Sequence, residues 1–134
     1  MDSTSTEWFG RPVLLVADLN RTLDFYVNRL GFTERWRHEK DGRVLVAQAD
    51  RQGCALIFSS QWPDQVGTGR MFISLNVDGS PDQLRASVEA QVDALRGELE
   101  GKGVKVEDSS WGYRLLVVRD PDGNELWFNY PGTN

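Results

Sequence analysis

Glu125, Trp127 and Asn129 alternate along one apolar stretch near the end of the chain. Side chains alternate faces along a strand, so these three point one way while Leu126, Phe128 and Tyr130 point the other. The second set has the composition of a core. The first combines a carboxylate, an indole and an amide, a mixture suited to lining a pocket that fixes a small molecule through a few polar contacts. Its simpler reading makes Trp127 one more half-buried aromatic. Residues 113–118 form the preceding strand, and Asp120-Pro121-Asp122-Gly123 supplies the tight turn between the two, with a Pro of pre-set φ and a Gly free to take φ > 0. Among the carboxylates, Glu125 is the candidate acid or base, whereas turn aspartates more often cap their own backbone than move protons.

Other chemistries have less support. The single histidine, His38, sits in the charged run RWRHEKDG, where a solvent-facing imidazole is the ordinary outcome, so a Ser-His-Asp arrangement has no local support. The lone Cys54 lies in an apolar strand pattern and reads as a buried, inert thiol. No CxxC motif and no Gly-rich phosphate loop between a strand and a helix occurs. Five tryptophans are many for 134 residues, and Trp8, Trp36, Trp62 and Trp111 lie beside polar or turn-rich sequence. Gathered together they would stack a planar ligand or form a subunit interface; apart, each would cap the core separately.

The elements that must position these residues recur in a pattern. Residues 11–17 read as a strand, and Asp18 caps a helix whose Leu19, Leu23, Tyr26 and Leu30 share one stripe before Gly31 ends it. Strands follow over 32–38, 43–49 and 54–60, with an Asp41-Gly42 turn. Residues 61–69 are rich in Pro and Gly without periodicity and read as a linker. The order then repeats: a strand over 71–77, a Ser80-Pro81 helix start, an apolar stripe of Leu84, Val88, Val92, Leu95 and Leu99, and strands over 104–107, 113–119 and 125–130. The expected fold is α+β, with one domain over 1–134 made of two βαβββ modules, 10–60 and 70–131, side by side in a curved mixed sheet with a cleft.

Composition sets bounds on partners. A formal charge of -5 with no Lys/Arg run argues against a nucleic-acid partner. No apolar run approaches the roughly 20 residues of a membrane span, and the first residues lack the parts of a signal peptide, so the expected location is cytoplasmic.

Residues 11–32, RPVLLVADLNRTLDFYVNRLGF, together with Asp120-Pro121-Asp122-Gly123-Asn124, resemble the vicinal oxygen chelate superfamily, which includes glyoxalase I, extradiol dioxygenases, fosfomycin-modifying enzymes and bleomycin-resistance binding proteins. The likeness is nearest to the bleomycin-resistance type, through Arg11-Pro12-Val13-Leu14, residues 56–66, and Trp111-Gly112-Tyr113-Arg114. That resemblance implies a homodimer that sequesters an antibiotic in clefts made by both subunits, with aromatic side chains stacking on its rings. By position Phe58 and Trp111 match lining places of that type, and Trp36 and Trp62 match in neighbourhood. The superfamily's enzymes usually hold a divalent metal, but the matching positions here are Arg11, Phe72 and Trp127. A guanidinium, a phenyl ring and an indole cannot donate a lone pair to a metal.

The resulting expectation is a non-catalytic binding protein without cofactor or metal, capturing a small planar or cationic aromatic ligand. Its site would comprise Arg11, Trp36, Gln48, Phe58, Ser60, Trp62, Trp111, Trp127 and Asn129. The acidic charge would steer a cationic antibiotic of the bleomycin group toward it. The alternative is a lyase, isomerase or dioxygenase of the same superfamily, acting through an unrecognised metal set or through Glu125. A third reading is a protein-interaction module whose aromatic cluster another chain covers.

Overall fold

The side chain of Asp18 accepts hydrogen bonds from the N–H groups of Asn20 (2.9 Å) and Arg21 (3.3 Å), starting the first helix where the sequence places its cap. In the computed structural model, which describes residues 6–75, 80–110, 112 and 114–131, this helix α1 spans Leu19–Leu23. It continues through Asp24–Arg29 in a widened turn, closed by the Leu30 N–H on the Phe25 carbonyl at 3.0 Å. Leu19, Leu23, Tyr26 and Leu30 are all buried. The second helix, α2 (Pro81–Gly101), opens with a reciprocal capping box between Ser80 and Gln83 and buries Val92 and Leu99 of its apolar stripe.

The strands are β1 (Val13–Leu15), β2 (Thr33–Lys40), β3 (Arg43–Arg51) and β4 (Cys54–Ser59), then β5 (Arg70–Ile73), β6 (Val106–Ser110), β7 (Arg114–Arg119) and β8 (Glu125–Asn129). They form two four-stranded mixed sheets of identical plan, β1-β4-β3-β2 and β5-β8-β7-β6, in each of which only the first strand pairs in parallel. The duplicated βαβββ order expected from the sequence is therefore the observed one. The strand expected over 71–77 runs to Ile73, and residues 76–79 lie outside the described residues.

One face of each sheet is dry. Leu14, Ala47, Ala49, Leu56 and Phe58 of the first pack into the same core as Val118 and Leu126 of the second, together with Leu99 and Val104. Tyr26 sits at the centre, its ring 4.5 Å from that of Phe58 and edge-on to Phe25 and Phe32 at 5.5 Å each.

The turn 120–124 joins the halves. Asp120 accepts from the Asp122 and Asn124 N–H groups (both 2.9 Å), as a turn aspartate should, and also from the Tyr26 hydroxyl of the first module (3.1 Å). Asn124 donates to the Leu15 carbonyl (3.1 Å) and accepts from the Gly69 N–H (2.8 Å). Asp122 accepts from Arg21 (2.7 Å) and from the Ala17 N–H (3.2 Å). Gly67, at φ +81, passes so close that a Cβ there would lie 2.1 Å from the Asp122 carbonyl oxygen.

Candidate ligand-binding faces

The opposite face of the first sheet carries the polar and aromatic residues. Register places Val13, Ile57, Gln48 and Trp36 in one row across all four strands, with Arg11 two residues ahead of Val13 at the row's edge. Gln48 is the hub. Its Oε1 accepts from Arg11 Nη1 and from the Trp36 indole N–H (2.9 Å), while its Nε2 donates to Asp50 (2.8 Å), which also accepts from Arg35 (3.0 Å). Turning the amide over would set its NH2 against two N–H donors and its oxygen against a carboxylate, so the partners fix its orientation. Donation by Gln48, reinforced by Arg35, holds the Asp50 carboxyl below its ordinary range. Trp36 leaves 41% of its surface open although its indole is tethered.

The second sheet repeats the plan with different chemistry. Phe72, Trp127, Val117 and Glu107 form its equivalent row, and Arg70, Glu125 and Arg119 form the next. Glu125 accepts from the Trp127 indole N–H at 2.7 Å and from Arg119 at 3.2 Å, with Arg70 at 3.6 Å; Arg119 also pairs with Glu107. Phe72 is 38% exposed, and Arg70, Met71, Phe72 and Trp127 border a hollow of about 380 Å³.

Glu125 is thus a locked carboxylate. The Trp127 N–H first, then Arg119 and Arg70, holds its pKa below the usual carboxylate range, which leaves it a weak base at neutral pH. Its folded pKa is depressed, so the stability it contributes is full above the unfolded value of about 4 and is lost as pH falls through the lower folded value. Glu34, Asp50, Glu98 and Asp108 are depressed in the same direction and outnumber Asp120, which burial raises and whose contribution runs the opposite way. The melting temperature is expected to be level from neutral pH down to about 5 and to fall below that, with a shallower fall in Glu125→Gln. A melting temperature that rises on acidification would contradict this.

The structure brings Arg11, Trp36 and Gln48 together on the first sheet and sets Trp127 and Asn129 on one face of β8. The Asn129 Oδ1 is buried and has no hydrogen-bond partner among the described residues. Phe58 is a correction: it faces α1, fully buried against Tyr26, and has no surface to offer a ligand. The strand's alternation already implied this, since Phe58 shares a face with Leu56. The side chain on the Gln48 face is Ser59, paired across from Val46, whereas Ser60 lies past the strand end with its hydroxyl near the Leu45 carbonyl (3.5 Å). Trp62 stands half exposed in the loop after β4. Trp111 lies outside the described residues. Sequence reasoning missed Val13, Ile57, Asp50 and, as a lining residue, Phe72, which strand register marks, and Arg35, which stands at an irregularity of β2 and is marked only by its bond to Asp50.

The glyoxalase/bleomycin resistance protein/dioxygenase superfamily model matches residues 8–128. The chain belongs to that superfamily. No curated protein matches it by sequence. Among solved structures it is similar to TnmS3, an antibiotic binding protein from Streptomyces sp. CB03234, at 23% identity and TM-score 0.67 over 96% of this chain and 100% of that one. It is also similar to the bleomycin-binding protein of bleomycin-producing Streptomyces verticillus, solved with copper(II)-bleomycin, at 21% identity and TM-score 0.64 over 95% and 99% of the chains. TioX from Micromonospora sp. ML1 matches at 20% identity and TM-score 0.63 over 91% and 98%.

The divalent metal used by enzymes of this superfamily does not fit the residues present. Phe72 and Trp127 stand side by side on paired strands, and Arg11 brings a positive charge to the first sheet. Among the described residues no group of three His, Cys, Asp or Glu side chains is placed to hold a metal ion. Glu125, the nearest carboxylate by register, is committed to an indole and two guanidinium groups. Among the same residues no helix is long and apolar enough to cross a membrane.

Proposed function

We propose that the protein is a small-molecule binding protein that captures a planar aromatic compound, of the kind found among antibiotics, without chemical change. The observation that carries this is the pair of equivalent rows, one presenting Trp36 tethered through Gln48 beside Arg11, the other presenting Phe72 and Trp127 beside Glu125. Flat rings held by hydrogen bonds at their polar edge give contact area with little ordering cost, which suits stacking on a planar ligand. The matched superfamily and the antibiotic-binding proteins of the same fold support the same reading.

In this reading the protein works as a cytoplasmic homodimer, each cleft being closed by a second copy. Trp8 and Phe9, 94% and 81% exposed ahead of β1, with Val13 and Phe72 also open, are apolar surface that a partner subunit would cover. The modules over 10–60 and 70–131, joined by 61–69, would be the units that the two copies set against each other.

The test joins three measurements on the purified full chain. Native mass is expected at twice the 15.2 kDa of the chain. Elemental analysis is expected to find less than about 0.1 equivalent of Zn, Fe, Mn, Ni or Co, since a catalytic centre ordinarily needs three protein ligands. A thermal-shift panel of planar antibiotics, anthraquinones and bleomycin is expected to yield at least one stabilising compound, because binding to the native state alone raises the melting temperature. About one equivalent of metal, or a panel with no shift, would sink the proposal.

A further inference from the structure

The two faces are not acidic, although the chain is. On the first, Arg35 pairs with one carboxylate, Asp50, which also feels the charge of Arg11 without pairing with it; on the second, Arg70 and Arg119 pair with two, Glu125 and Glu107. The formal charge of -5 therefore resides elsewhere. The local charge on these surfaces therefore does not favour a cation, in contrast to the steering expected from composition.

Arg11 differs from the other three. Arg35, Arg70 and Arg119 each have a carboxylate within ion-pair distance. Among the described residues Arg11 has none: its guanidinium makes one hydrogen bond, to the neutral Gln48 oxygen, and lies 5.5 Å from the Phe9 ring centroid. A guanidinium carries five N–H donors in a planar fork suited to an oxyanion, and on this exposed residue most of them have no partner among the described residues and face solvent, where a ligand can reach them. Gln48 orients it by the same oxygen that receives the Trp36 indole N–H, fixing a cationic fork and an aromatic surface relative to each other.

We propose that the ligand of this face carries an acidic group, a carboxylate or an ionised phenol, on its planar ring system, received by Arg11 while the ring lies on Trp36. The proposal rests on the ligand-binding reading above and narrows it: the substrate class is an acid-bearing aromatic rather than a cation. Gln48 is the positioning residue of the pair.

Calorimetric titration of the full chain with anthraquinone-2-carboxylate and with the neutral anthraquinone-2-carboxamide tests it. The wild-type protein is expected to bind the acid about 10-fold more tightly than the amide, a preference that shrinks as salt is raised. In Arg11→Gln the preference for the acid over the amide is expected to vanish, while Arg11→Lys keeps part of it. Unchanged melting temperatures would separate these effects from misfolding. If acid and amide bind equally in the wild type, or Arg11→Gln keeps the preference, the acidic-ligand inference is wrong and the binding reading survives. If neither compound binds at about 1 mM while a cationic antibiotic does, the inference is equally overturned; if no planar compound binds at all, the binding reading falls with it.

Discussion

Asn124→Ala is expected to destabilise the protein by about 3–5 kcal/mol, because the lost side chain leaves several buried groups without partners at once. Asn124 is fully buried and holds three hydrogen bonds: from the Gly69 N–H, to the Leu15 carbonyl and to the Asp120 carboxylate (3.1 Å). Alanine keeps none of them. The loss is a large part of the roughly 5–15 kcal/mol that an ordinary domain has. At about 4 °C per kcal/mol for a chain of this size, the melting temperature should drop by about 12 °C or more. Asn124→Asp, nearly the same shape, should not rescue it, since it sets a second carboxylate beside Asp120. Thermal and urea denaturation of the two variants would decide the matter, and a drop below about 3 °C in Asn124→Ala would mean that the turn does not join the modules as described.

This turn also shows where sequence reading stops. A stretch Asp-Pro-Asp-Gly announces a tight turn through its own local chemistry, and the observed bonds from Asp122 and Asn124 N–H groups to Asp120 are that chemistry. Nothing local says that Tyr26, 94 residues earlier, donates to the same carboxylate, or that Gly67 must be bare to pass Asp122. Helices and strands were legible because period 3.6 and period 2 are written within each segment: the stripe Leu19, Leu23, Tyr26, Leu30 and the two βαβββ series needed no long-range information. Arg11, Trp36 and Gln48 were legible as types suited to a pocket, but their convergence on one amide oxygen depends on the register of β2 against β3, which includes irregularities on either side of the pairing from Trp36 to His38. Register is a property of paired strands and leaves little trace in either one alone. Phe58 was misplaced for a different reason. Its place as a lining residue rested on family likeness alone, and its alternation with Ile57 points it into the core.

That contrast yields the second large effect. Phe58→Ala should cost about 3–5 kcal/mol of stability, since it opens a cavity against Tyr26 in the centre of the core, and any ligand affinity that survives in the folded fraction should be nearly unchanged. Trp36→Ala should do the reverse. Its ring is 41% exposed and anchored by one hydrogen bond at its edge, so removal should move the melting temperature of the free protein by no more than about 3 °C. For a stacking aromatic, however, the expected loss of affinity is about 30-fold, or about 2 kcal/mol. Gln48→Leu should fall between the two: both Arg11 and Trp36 lose their common acceptor, the ring remains but is no longer oriented, and affinity should weaken by about 5- to 10-fold. Calorimetric affinity and melting temperature measured on all three variants place each residue on one axis or the other. If Trp36→Ala binds as tightly as the unaltered protein, the first sheet is not a ligand surface, and the search moves to the row of Phe72 and Trp127.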